Sequence, residues 1–259
     1  MLLDAIITVL RETLEAGVVV SVLVSMGRWR GIRGHWVPGG LLLGLSGGVI
    51  YALDMRSLSQ AFDYAGQEVV NASLQYSIAA SLLALLALHA RLKPLLLTLL
   101  LVWVVALVVV REGAEIMIFF TALLSHEGMA LKILSSGFVG LAIGASVGIV
   151  CFYCLNLLAL NARMIAQIVL LAMIAAGMVA QGTQLLIQVD WVSAGPPLWN
   201  TNPWLNENSM TGQVAYAVFG YEATPSGIEV ALYSASLTLA LMVGLGTYLW
   251  VTRKTKGVW

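Results

Sequence analysis

The chain has 259 residues, of which 60% are hydrophobic and only 10% charged, and its formal net charge is zero. Soluble domains run nearer 45–50% apolar and about 25% charged, so a soluble enzyme, a nucleic-acid binder and a disordered scaffold are excluded, and lipid solvates most of this chain. Two cysteines are too few for a disulfide framework.

Seven apolar stretches, at about 3–26, 37–54, 69–89, 95–124, 134–159, 164–188 and 228–251, each have the length to cross a bilayer core as a helix. They predict an all-α integral membrane protein, one transmembrane domain over residues 1–259. The first stretch has no basic leader and its apolar centre is interrupted by Arg11-Glu12-Thr13-Leu14-Glu15, so it reads as a retained helix rather than a cleaved signal. The second carries the ladder Gly40, Gly44 and Gly48, which lets backbones approach closely. Asp54, Asp63 and Glu68 precede or open the third, where they could collect a cation. The fourth contains Arg111-Glu112-Gly113-Ala114-Glu115, and the fifth repeats the ladder at Gly140, Gly144 and Gly148. In the fifth, Cys151 and Cys154 sit at helical spacing, awkward for a disulfide, and read as small buried apolar groups. In the sixth, Gln181, Gln184 and Gln188 form a polar stripe suited to hydrogen bonds between helices, while Met26, Met173 and Met178 read as core filling. Residues 189–226, with Pro196, Pro197, Pro203 and Pro225, read as an ordered surface cap, in which Ser209 caps a short helix over Met210–Phe219.

Sliding the chain by one hundred residues superposes Arg11, Glu12 and Glu15 on Arg111, Glu112 and Glu115, and Gly40, Gly44 and Gly48 on Gly140, Gly144 and Gly148. The expectation is an internal repeat, about 1–90 and 91–188, with a seventh helix at about 227–252. Three spans is an odd number, so the two units have opposite topology, an arrangement of transporters with a midplane site. With alternating sides, Arg28, Arg30, Arg33, Arg91, Lys93, Arg163, Arg253, Lys254 and Lys256 share one face, against Arg56 and Lys132 on the other. The excess of positive charge places the N-terminus outside and the C-terminus in the cytoplasm. The acids, Asp4 and Glu127 among them, then gather on the outer side, where they attract cations.

Within each R-E-x-x-E the three charges share one helical face, and antiparallel helices bring both motifs to a similar depth, roughly 13–20 Å from the outer ends. Six such groups in hydrocarbon cost about 15–20 kcal/mol if they face lipid, so they face one another or a polar path. Arg11 and Arg111 offset two of the four glutamates, leaving a surplus of carboxylate. Carboxylate oxygen suits hard cations such as magnesium, calcium, manganese or iron. His35, His89 and His126 fall at span ends or in loops, so neither an imidazole centre nor an intramembrane haem is expected. No nucleophile–base pair suggests an enzyme.

These motifs, with Gly66-Gln67-Glu68 and with Phe219-Gly220-Tyr221, Pro225-Ser226 and Glu229, resemble the oxidase-linked iron permease family of yeast ferric and bacterial iron permeases. The family often has a second glutamate where this chain has Asn71. The resemblance implies a multi-pass protein of the cytoplasmic (inner) membrane that imports iron. It also implies Glu12, Glu15, Glu112 and Glu115 as ligands supported by Arg11 and Arg111, Glu68 near the entrance, and an extracytoplasmic iron-binding, oxidase or peroxidase partner. Iron is then substrate, and no organic cofactor is expected. Two alternatives stay open: a carboxylate-based transporter or exchanger of manganese, calcium or lead, and a structural subunit of a membrane metal-uptake complex.

Overall fold

The computed structural model describes residues 2–124, 130–207 and 209–256. The described helices are α1 (Leu2–Trp29), α2 (Val37–Leu53), α3 (Met55–Gln60), α4 (Gly66–Leu88), α5 (Pro94–Leu124), α6 (Ala130–Leu157), α7 (Leu160–Gln188), α8 (Met210–Phe219) and α9 (Gly227–Lys256). His126 and Glu127 lie outside the described residues, as do the side chains of Asp4, Arg56, Lys254 and Lys256. Among the described residues six helices, α2, α4, α5, α6, α7 and α9, are long and apolar enough to cross a membrane. At 28 residues α1 has the length too, but Arg11, Glu12 and Glu15 break its apolar run. The predicted stretches agree with these helices to within a few residues. α3 has no predicted counterpart, because its six residues are too few to register a period.

Two glycine-faced helices clamp the two charged ones. α1 packs along α6 and α5 along α2. Cβ atoms built at Gly44 and Gly144 would lie 2.5 Å from Val109 Cβ and 2.7 Å from Thr13 Cβ respectively, so only glycine admits this approach. Ser21 Oγ donates across the second seam to Gly148 O at 2.5 Å. α1 and α5 also meet each other, and α4 packs on α7 with α9 outside it.

The core runs between α1, α4, α5 and α7, where Leu23, Leu82, Leu85, Leu101, Val108 and Leu171 are buried. Leu42, Leu45, Phe138, Tyr153 and Met242 on the outer helices are exposed. Such an apolar exterior is suited to lipid. Polar side chains in the interior find partners across helices: Gln75 Nε2 donates to Gln181 Oε1 at 3.3 Å, Tyr76 and Thr183 hydroxyls meet at 2.9 Å, and Gln167 Nε2 donates to Ser25 Oγ at 2.9 Å. Gln181 of the glutamine stripe therefore serves as an interhelical bond, and Met26 and Met178 are buried as core filling.

Residues 189–207 and 209–226 fold back on themselves as a cap. Backbone bonds from Leu198 to Pro225 and from Thr201 to Ala223, both 2.9 Å, draw its two ends together. α8 begins as expected, with Ser209 Oγ accepting from Gly212 N at 3.0 Å, and ends at Gly220 with φ +64°, a conformation glycine adopts without strain. The α9 start explains the Pro-Ser-x-x-Glu pattern: Ser226 N and Oγ donate to Glu229 Oε2 at 2.7 and 2.5 Å, a capping box.

Candidate metal centre

Arg11 reaches Glu115 (3.7 Å) and Arg111 reaches Glu15 (2.7 Å), a first-with-last pairing that antiparallel α1 and α5 produce. All six charged groups of the two motifs meet in one cluster. Arg111 stands at its centre. Its Nη1 lies 2.7 Å from Glu15 Oε2, 2.7 Å from each Glu112 oxygen and 3.9 Å from Glu12 Oε2, and its Nε lies 3.2 Å from Glu115 Oε1. Arg11 lies to one side, with Nε 3.0 Å from Glu12 Oε1 and 3.9 Å from Glu15 Oε1. Its guanidinium carbon sits 4.9 Å from the Tyr216 ring centroid, so α8 roofs the cluster. Burial and the Glu15 charge push the Tyr216 phenol up, keeping it neutral.

Glu12, Glu15, Arg111 and Glu112 are each exposed by 2% or less, whereas the side chains of Arg11 and Glu115 are exposed by 31% and 25%. Exposure within the cluster is thus confined to Arg11 and Glu115. Ligand oxygens of Glu12, Glu15 and Glu112 fall within 4.8 Å of one another, close enough to share one ion. Two guanidiniums face four carboxylates, and Glu12 Oε2 and Glu15 Oε1 are buried with no hydrogen-bond partner. An unpartnered buried carboxylate oxygen is costly, and a multivalent cation satisfies several at once.

The other predicted acids stay apart from this cluster. Glu68, in the first turn of α4, keeps Oε2 buried and without a hydrogen bond. A Cβ at Gly66 would collide with the Leu58 carbonyl oxygen, so glycine in Gly-Gln-Glu is a packing requirement. Asp54 and Asp63 are exposed, and Phe62, Asp63 and Tyr64 all have positive φ (53°, 57° and 71°) in the turn before α4. Asn71 is buried and accepts a 2.9 Å bond from the Tyr51 hydroxyl. Tyr51 itself is buried on α2. Sequence reasoning passed over Tyr51 and Tyr216 because single tyrosines carry no spacing signal.

The model of the Iron permease FTR1 family matches residues 68–256. The chain belongs to that family. The match takes in Arg111–Glu115, the segment from Phe219 to Glu229 and, of Gly66-Gln67-Glu68, only Glu68; Arg11–Glu15 precedes it. No curated protein and no solved structure matches the chain. With its apolar helices, the chain is a multi-pass membrane protein of an iron transport family.

The permease also holds a cavity of about 610 Å³ between α7, α8 and α9, lined by Gln184, Trp199, Tyr216, Tyr221, Glu222 and Tyr233 among others. Gln184 Nε2 donates to Glu222 Oε2 at 3.1 Å. Burial first, then the charges of Glu207 and Glu229, push the Glu222 carboxyl up from 4.5 to about 7. A raised carboxyl favours the folded state most at low pH; as pH climbs from 4.5 to about 7 the unfolded chain ionises first, and stability falls until the loss is complete above that value. Glu222→Gln, which keeps an acceptor for Gln184, is thus expected to melt with the wild type near pH 5 and about 2 °C or more above it at pH 8. Thermal melts in detergent check this, and coincident curves at pH 8 would refute it.

Proposed function

We propose that the permease imports iron through the carboxylate cluster shared by α1 and α5, with Glu12, Glu15, Glu112 and Glu115 as ligands. The observation that carries this reading is the convergence of Glu12, Glu15 and Glu112 oxygens within 4.8 Å in the interior of a permease-family protein. Oxygen-only ligation selects hard cations, ferric and ferrous iron included. Glu68 would pass iron inward, and the exposed Asp54 and Asp63 would gather it at the surface. On this reading α1 is a seventh span, the N-terminus lies outside, segment 189–226 faces an extracytoplasmic iron-delivering partner, and the membrane is the cytoplasmic one.

Two inverted units suit the packing. Each unit's first helix lies on the other unit's second (α1 on α6, α5 on α2), first helices meet (α1 with α5), and third helices meet (α4 with α7). Exchange about an axis in the membrane plane requires this pairing. The ion pairs themselves favour one second reading, in which the charges only pin α1 to α5.

Uptake of iron of defined valence into proteoliposomes tests the proposal, with manganese, calcium and lead as competitors. Iron uptake is expected to exceed theirs and to drop about tenfold or more in single Glu→Gln variants of the cluster. Unaltered uptake in all four variants eliminates the site, and preferential uptake of a competitor reassigns the cargo.

A further inference from the structure

We infer that Arg111 is a tethered occupant of the cation position: its Nη1 competes with the metal for the same oxygens and so sets how tightly the permease holds its cargo. This rests on the carboxylate-site reading above. An arginine pairing with a carboxylate ordinarily presents two nitrogens to two oxygens. Here a single nitrogen faces both Glu112 oxygens and Glu15 Oε2, all at 2.7 Å, with Glu12 Oε2 at 3.9 Å. One positive centre surrounded by oxygens from three carboxylates is the geometry of a bound ion. The three residues are the same three whose oxygens lie within 4.8 Å of one another. A hard cation with oxygens at roughly 2.0–2.6 Å has no room beside Nη1, and like charge excludes the pair.

The second observation is the pair of orphaned acceptors. Glu12 Oε2 and Glu15 Oε1 belong to side chains that are almost wholly buried, yet neither receives a hydrogen bond. The guanidinium leaves ligand capacity in the cluster unused, as expected of a stand-in held there by position rather than by fit. Glu115, 3.2 Å from Nε and partly exposed, offers the arm a place to pivot when Nη1 gives way. Arg11 is not equivalent: it leans on Tyr216, is partly exposed and leaves the centre free. Return of Nη1 to the carboxylates then helps expel the ion, so Arg111 trades affinity for release.

The test uses the purified full chain in detergent, with Fe2+ added anaerobically and Mn2+ followed by electron paramagnetic resonance. Arg111→Gln is expected to lower the Kd for either ion about tenfold or more and to slow release by a similar factor. Arg111→Lys, which restores a point charge, is expected to stay within about threefold of wild type. In the unmutated chain labelled with 15N-arginine, metal addition is expected to shift guanidinium infrared bands, a readout that survives if Arg111→Gln does not fold. Unchanged or weaker binding in Arg111→Gln, or no arginine signal on metal addition, overturns the inference. If Glu112→Gln still abolishes binding in that case, the carboxylate site stands without it. If Glu112→Gln and Glu15→Gln leave binding intact, the site reading itself fails.

Discussion

Glu112→Gln is expected to keep the permease folded, at least as heat-stable as the wild type, while iron uptake falls about tenfold or more. Removing one partner of a buried ion pair ordinarily costs about 3–5 kcal/mol, because the other charge is stranded. The sign differs here. Without the Glu112 charge, Arg111 still has Glu15 at 2.7 Å and Glu115 at 3.2 Å. The surplus of carboxylate over guanidinium halves, and repulsion among acids whose oxygens lie within 4.8 Å is relieved. Arg111→Met moves the balance the other way, leaving Arg11 alone against four carboxylates, and is expected to lose about 3–5 kcal/mol in metal-free solution. Paired melts and uptake assays of the two variants decide the matter. A Glu112→Gln protein that melts well below wild type yet transports normally would favour charges that serve only to pin α1 to α5.

Much of this arrangement was legible in the sequence, for identifiable reasons. Composition alone marks the apolar helices, since a run of about 20 lipid-compatible residues has few other uses. Recurrence of R-E-x-x-E at a separation of one hundred residues, on stretches expected to run in opposite directions, placed both motifs at a similar depth; the cross-helix pairs Arg11–Glu115 and Arg111–Glu15 came from the structure. The inequality of the two motifs was not legible. Both read R-E-x-x-E, yet one arginine is the buried hub and the other is half-withdrawn beneath Tyr216. That difference comes from how segment 189–226 folds back over α1, and loop registers leave no periodic trace. Tyr51 was hidden for a related reason: its bond to Asn71 depends on how α2 and α4 cross, and a single tyrosine carries no spacing signal. Asp54 and Asp63, named for their charge and their place before the third apolar stretch, are exposed.

Gly144→Leu is expected to prevent assembly of the permease, and Gly144→Ala to destabilise it by about 1–3 kcal/mol with loss of uptake. The first atom of any side chain at this position would lie 2.7 Å from Thr13 Cβ and 3.0 Å from Leu10 O. Neither neighbour is the far end of a flexible side chain, so relief requires α1 itself to move. One turn along, Ser21 Oγ donates to Gly148 O at 2.5 Å, which opposes sliding of α1 along α6. Any outward shift of Thr13 carries Glu12 and Glu15 with it, because they flank it on the same helix, and the 2.7 Å contact between Glu15 and Arg111 is lost. Gly39 supplies the contrast. It also lies in a glycine-rich helix, but a Cβ there would meet nothing within 4 Å. Gly39→Ala is expected to be neutral or stabilising by about 0.5–1 kcal/mol, the ordinary gain from replacing glycine inside a helix. Size-exclusion profiles, melts and iron uptake of the three variants would test the claim together. A Gly144→Leu permease that elutes, melts and transports like Gly39→Ala would mean that the glycine face does not set the distance between α1 and α6, and with it the position of two of the four acids.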